Sequence, residues 1–383
     1  MTGPSMQRPF AAAMSVDADP GGAAGEVIGS VLEQLGGVPP DLAVLFVAGS
    51  HAEHLADLVA AVHATLDPGV ALAVTAVGVL GGAREAESGP GLSLWAGVTG
   101  PVRPVRMEAF DRTTMLGVPD DLVDGETLMV LADPFSFPMD ALFDLVPAGV
   151  AVVGGLASAA AEAGGNRLWI DGVEHRNGAI GVRFPPGVAR PVVSQGCRPI
   201  GAPWVVTRSD QHLIHELAGR PAAERLNELI ASLSVEDRVA ASRGLHIGVV
   251  ANDHRDEFTQ GDFLIRAVLG FEQSTNAVAI GDIVDVGQVV QFQVRDPSSA
   301  GADLAEMMSV GSSNRGFDGA LVFTCNGRGT HLFSEPHHDA ALVDEFTDGG
   351  VAGMFCAGEL GPVGERNALH GFTATVLGFR QLR

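Results

Sequence analysis

Reactive side chains are densest at Thr324-Cys325-Asn326-Gly327-Arg328-Gly329, which follows an apolar run that reads as a buried strand. Ligands of open α/β sheets bind beyond the carboxyl ends of strands, so this is where a site is expected. Gly327 and Gly329 let backbone N–H groups approach an anion closely, and Arg328 offers a planar fork suited to a carboxylate. A second cluster follows another apolar run: Cys356, Gly358, Glu359 and Gly361, then Asn367 and His370. If the two runs are neighbouring parallel strands, Cys325 and Cys356 end side by side and both loops face one crevice. The set then holds a cation, an anion, two amides, an imidazole and two thiols. It suits a small zwitterion, with Arg328 on a carboxylate and Glu359 on an ammonium. A structural turn closed by an ion pair is the competing reading.

The same residues allow a second chemistry. Cys325 or Cys356 would be a nucleophile, His370 or His331 its base, and the Gly327 to Gly329 amides an oxyanion hole, which makes a cysteine-dependent hydrolase or transferase. A scaffold that binds no ligand is a third possibility. His337-His338-Asp339 reads as a helix start on the surface rather than a metal site, because adjacent residues do not share a helix face. His51 and His54 read as solvated, Met307-Met308 as core filler, and the segment Asp133 to Pro138 as a rigid turn.

The elements that must position these residues follow from hydrophobic pattern. Residues 42–48 (LAVLFVA) are continuously apolar, as in a strand buried on both faces. Ser50 and Glu53 have capping-box spacing, and Leu55, Leu58, Val59, Val62 and Leu66 share one helical face. Residues 70–77 form the next strand, completing a strand–helix–strand unit with a Gly-rich turn and the acidic residues Glu85 and Glu87 after it. A similar series recurs over residues 127–184, with a Gly154-Gly155 turn, and again over residues 320–379. Helices are expected at 211–217, 221–233 and 298–310, and strands at 245–251, 263–269, 277–280 and 289–294. The fold class expected is therefore α/β: repeated strand–helix–strand units, mixed sheets, and helices outside. Two sheets packed in a four-layer α-β-β-α arrangement are one form of it.

Composition narrows the function. The chain has 383 residues, a length suited to two domains. It carries 46 acidic and 23 basic residues, a net charge of -23, which repels phosphate backbones and anionic lipid. Nucleic acid and membrane are not expected partners. All basic residues are Arg, and Lys and Tyr are absent, which removes Schiff-base chemistry and the P-loop lysine. Three cysteines (Cys197, Cys325, Cys356) fit neither a disulfide scaffold nor a zinc site. With no signal-like segment and no long apolar run, a cytoplasmic location is expected, and no cofactor or metal is.

The segments FTCNGRG, CAGELGPVGERNALHGFTATV and ELAGRPAAERLNELI resemble the C-terminal half of FIST-domain proteins. The early DLAVLFVAGSH and the Gly-rich acidic segment after it are similar to the N-terminal half. The resemblance implies a FIST N-terminal domain over residues 10–203 and a FIST C-terminal domain over 204–383, with the Arg/Pro/Gly-rich stretch 185–203 at the change. It also implies a non-catalytic small-ligand sensory module of bacterial signal transduction, with amino acids as suggested ligands. Such modules are often fused to output domains; none is evident here, so the resemblance implies a separate output protein.

Overall fold

The computed structural model describes residues 8–111, 114–251, 258–272, 274–313 and 315–381, which form two compact units. The first comprises residues up to Val193 together with Leu304–Leu369 and the segment from Thr373 onward.

Three sheets build the first unit, and each contains one parallel pair joined by a helix. Leu42–Ala48 runs parallel to Val70–Ala76 through the helix Leu55–Leu66. Thr127–Ala132 runs parallel to Ala151–Leu156 through Met139–Leu145. Gly319–Cys325 runs parallel to Val351–Cys356 through His338–Glu345. An antiparallel strand flanks the first member of each pair: Gly91–Gly97, Ala179–Phe184 and Thr373–Phe379. The sheets are therefore mixed, as the turn-linked last strands predict.

Leu42–Ala48 shows why the apolar run is unbroken. Leu42, Val44, Phe46 and Ala48 point into a core shared with Phe323, Met354, Phe379 and Met129. Ala43, Leu45 and Val47 point into a second core under the helices Pro20–Gln34 and Leu55–Leu66. Trp95 anchors the shared core, its ring centroid 4.7 Å from Phe379 and 5.7 Å from Phe10. Halves distant in sequence exchange edges. The hairpin of Val79–Gly81 and Arg84–Ala86 extends the sheet of Val351–Cys356. Glu359–Val363 extends the sheet of Ala151–Leu156, with Gly155 opposite Glu359.

The second unit spans Ser194–Asp303 and His370–Phe372. Six antiparallel strands follow one another around it: Val289–Arg295, Trp204–Asp210, Leu213–Leu217, Ala277–Ile280, Phe263–Glu272 and Leu245–Val250. The last pairs back to the first, which closes a barrel. Its interior holds Val206, Ile214, Ile247, Val278, Val290 and Phe292, and the helix Ala222–Ser232 adds Leu226 and Leu229 to the same core.

Several expectations are corrected. Residues 211–217 are not helical: Leu213–Leu217 is a barrel strand, and Gln211 sits at φ 52° in the turn before it. The short window LIHEL fits either period, and pairing on both sides decides it. Ser50 caps no helix, since Gly49–His54 forms a 3-10 turn and the α-helix begins at Leu55. His51 is fully buried, its Nε2 2.8 Å from the carbonyl oxygen of Asp17. The helix Pro20–Gln34 was hidden by Gly21, Gly22, Gly25 and Gly29, which lower helix propensity; Asp19 caps it by accepting from the Gly22 N–H at 2.7 Å.

Candidate functional site

Cys325 and Cys356 are register partners at the ends of parallel neighbouring strands, as expected from the strand–helix–strand reading. The Asn326 N–H donates to the Cys356 carbonyl at 2.9 Å and continues the pairing into the loop. The two loops that carry the candidate residues therefore leave one sheet edge together.

Arg328 is fully buried, and its fork is engaged within the chain. Nε donates to Asp339 Oδ2 at 2.7 Å and Nη2 to Oδ1 at 2.8 Å, a bidentate pair. Thr324 Oγ1 donates to Asp339 Oδ2 at 2.6 Å, and His338 Nδ1 lies 3.1 Å from Oδ1. The Arg328 guanidinium lies 5.3 Å from the ring centroid of Phe333, which stacks on His338 at 3.5 Å. Burial opposes ionisation of Asp339, but the adjacent guanidinium outweighs it and holds the carboxyl well below the usual range. Asp339 is thus a core residue and not the surface helix start that His337-His338-Asp339 suggested.

The glycine loop is occupied in a comparable way. The Glu87 carboxylate accepts from the Thr330 N–H at 2.9 Å and from the Thr330 hydroxyl at 2.7 Å. Gly329 sits at φ 56°, and a Cβ there would lie 2.6 Å from the Glu87 carboxyl carbon. The Gly327 N–H points at Cys325 Sγ, 3.4 Å away. The anion cradled here is a side chain of the protein's own Gly-rich acidic segment. Its neighbour Glu85 accepts from the Ala340 N–H at 2.9 Å, and burial beside Asp339 pushes its pKa up to about 7.

Glu359 differs from these. It is fully buried, with Oε2 accepting from the Thr373 hydroxyl at 2.7 Å and from the Thr373 N–H at 3.2 Å. Oε1 has no partner in strict hydrogen-bond geometry, though the Cys325 thiol is close enough to act on the carboxyl. Burial pushes the Glu359 pKa up to about 8, against the opposing pull of Thr373, Arg328 and Cys325. Burial therefore favours the neutral carboxyl at neutral pH, and Oε1 is the oxygen that Thr373 leaves open.

The thiols also separate. Cys356 is fully buried, and burial pushes its pKa well above the usual thiol range, which disfavours the reactive thiolate. Gly155 accommodates it: a Cβ on Gly155 would fall 2.3 Å from Cys356 Sγ. Cys325 is buried, with its thiol 3.8 Å from Asn326 Oδ1.

Of the other predicted residues, Asn326 is exposed at the loop and Gly358 is buried, its carbonyl accepting from the Leu156 N–H at 2.9 Å. Asn367 holds a strand: Oδ1 accepts from the Val152 N–H and Nδ2 donates to the Val150 carbonyl, both at 2.8 Å. Gly361 gives room to Val193, whose Cγ2 would be 2.5 Å from a Cβ. His370 is buried and belongs to the second unit. Sequence reasoning missed Asp339, Thr373 and Glu87, each brought in from another segment. The one available signal was the acidic residue next to a strand-end hairpin, at Glu85 and Glu87. Among the described residues, no group of three or more His, Cys, Asp or Glu side chains could hold a metal ion, and no helix is long and apolar enough to cross a membrane.

This chain belongs to the FIST family. The FIST N domain matches residues 41–220 and the FIST C domain residues 222–362. FIST domains are sensory, non-catalytic modules. The chain is similar to the uncharacterized protein Rv0628c of Mycobacterium tuberculosis, with 39% identity over 364 residues that cover 92% of this chain and 95% of the relative. It is also similar to the uncharacterized protein Mb0898c of Mycobacterium bovis, with 40% identity over 366 residues that cover 92% and 94%.

Proposed function

We propose that this protein is a cytoplasmic ligand-binding sensor of signal transduction, that its ligand is an amino acid or similar small polar metabolite, and that a separate output protein reads its state. Family membership supports the sensory role. The observation that carries the site is Glu359, a fully buried carboxyl with one uncommitted oxygen beside Cys325, at the edge where two parallel strands end. A buried polar atom without a partner is costly and marks a place where a ligand gains most. Cys325, Asn326, Gly327, Gly358 and Glu359 are the proposed contacts. Arg328 and Gly329 act behind them, through Asp339 and Glu87, by fixing the loop. A ligand ammonium at Oε1 would displace the Glu359 proton and leave a buried ion pair.

As divisions by descent we keep residues 10–203 and 204–383. We also read the three helix-linked parallel pairs as repeats, and the four-layer arrangement stays part of this proposal. The test is a thermal-shift screen of the intact chain against amino acids and small polar metabolites, since a ligand of the native state raises stability by mass action. The reading predicts a stabilising hit that Glu359→Gln weakens. A screen with no stabilising compound, or a hit indifferent to Glu359, would sink it.

A further inference from the structure

The closed barrel of the second unit has an outer face that is buried and polar. Along Val289–Arg295 the side chains alternate, with Val290, Phe292 and Val294 in the barrel core and Gln291, Gln293 and Arg295 on the opposite face. His246 lies directly across from Gln293 on the neighbouring antiparallel strand, so both project from that face. Gln291 is satisfied, its Nε2 donating to the Gly201 carbonyl at 2.7 Å.

Gln293 is fully buried, yet neither its Nε2 nor its Oε1 has a hydrogen-bond partner. Exchanging the two amide atoms changes nothing, because one donor and one acceptor stay open either way. His246 is 4% exposed and its Nδ1 is also unpartnered. The ring also meets the Gly244 backbone, and in the tautomer with its proton on Nε2 the open Nδ1 is an acceptor. Burial and the Arg295 charge push the imidazole pKa down to about 4, so the ring is neutral at neutral pH. Unpaired buried polar atoms are costly, and three on adjacent side chains call for an explanation. The sequence even makes room for this amide: a Cβ on Gly248 would sit 2.7 Å from Gln293 Nε2.

Half-buried Phe372 covers the face. Its ring is T-shaped on His246 at 4.3 Å, and the Arg295 guanidinium lies 5.1 Å from its centroid. Phe372 has φ 62°, a left-handed conformation that costs a bulky residue energy. The Gly196 N–H donates to its carbonyl at 2.9 Å, which helps hold this conformation in place. Strain of this kind is retained where surrounding contacts enforce it, and it clusters at ligand clamps and switch segments.

The geometry points to a second ligand site on this barrel face: Gln293 and His246 receive a primary carboxamide once Phe372 swings aside. A carboxamide NH2 has two hydrogens, one for Gln293 Oε1 and one for His246 Nδ1. Its carbonyl accepts from Gln293 Nε2. A carboxylate lacks the donors, and an ammonium lacks the acceptor. This site does not depend on Glu359 or Cys325.

The experiment is isothermal titration of the full chain with L-glutamine and nicotinamide, with L-glutamate and nicotinate as matched acids. The two amides separate an amino-acid source of the carboxamide from a heterocyclic one. At least one amide is expected to bind at least tenfold more tightly than its acid. Gln293→Leu is expected to weaken that amide at least tenfold while leaving the fold as stable as before or more so, because it removes two unsatisfied atoms. Phe372→Gly, which relieves the backbone strain and removes the cover, is expected to tighten binding. Glu359→Gln should leave nicotinamide affinity unchanged, since nicotinamide has no ammonium for Glu359, which separates this site from the one proposed above. Absence of amide binding in both the wild type and Phe372→Gly would overturn the proposal. So would equal affinity for amide and acid, or full affinity in Gln293→Leu.

Discussion

Arg328 and Asp339 form a bidentate ion pair with side chains 0% and 1% exposed, and the pair ties the strand-end loop to the helix that crosses between the two parallel strands. Thr324 and His338 complete the carboxylate's shell. Such a pair gains little over apolar packing when whole, but losing one partner strands a buried charge. Arg328→Ala and Asp339→Ala are each expected to lower unfolding free energy by about 3–5 kcal/mol in urea titrations. The double variant should cost less than the sum of the two. Strict additivity would show that the pair does not act as a unit.

Gly155 faces Cys356 with no space for a methyl group. Gly155→Ala is expected to cost about 1–3 kcal/mol as an overpacked core. Combining it with Cys356→Ala should recover part of that loss, which paired denaturation curves would show.

Cys356 should resist alkylation. Its thiol is fully buried and its pKa is raised, so native protein treated with iodoacetamide at pH 7.5 should keep Cys356 unmodified while a urea-unfolded sample is labelled there. Mass spectrometry of the two samples decides it; labelling of native protein at Cys356 would contradict the packing described.

Much of this arrangement was legible in the sequence, and the part that was not shares one cause. Strand ends could be placed because LAVLFVA and its counterparts are unbroken apolar runs, and the pairing of Cys325 with Cys356 followed from two such runs flanking a helix. The partners of the charged residues could not be read the same way. Arg328 meets Asp339 across a loop, Glu359 meets Thr373 across a hairpin, and Thr330 meets Glu87 from 243 positions away. Hydrophobic periodicity reports which face of an element is buried, but not which element covers it. Arg328 and Glu359 therefore looked like a matched pair awaiting a zwitterion. The nearer carboxylate, Asp339, was concealed in a histidine-rich helix start. Leu213–Leu217 failed differently, because five residues do not distinguish a period of 2 from one of 3.6.

The proton on Glu359 gives stability a pH dependence with a definite sign. The native pKa of about 8 lies above the ordinary carboxyl value of 4.5, so the native state binds the proton more tightly than the unfolded chain. The contribution is complete below pH 4.5 and is lost as pH rises toward 8. Wild-type protein should therefore lose stability across that window more steeply than Glu359→Gln, whose side chain stays neutral. Glu85, raised to about 7, adds to the slope in both proteins. Identical slopes in chemical denaturation at several pH values would contradict the buried protonated carboxyl.

The most direct measurement of the sensory account is the affinity of the stabilising amino acid as a function of pH. An ammonium at Glu359 must displace the proton, so below the native pKa of about 8 binding weakens by up to tenfold for each unit that pH falls. Isothermal titration from pH 6 to 9 is predicted to show affinity rising to a plateau near pH 8 in the wild type. Glu359→Gln should bind at least tenfold more weakly at the plateau, with a flat profile, for want of a charge-assisted hydrogen bond of about 1.5–3 kcal/mol. A wild-type profile that is flat across this range, or an affinity that Glu359→Gln leaves intact, would contradict the assignment of Glu359 as the residue that senses the ligand.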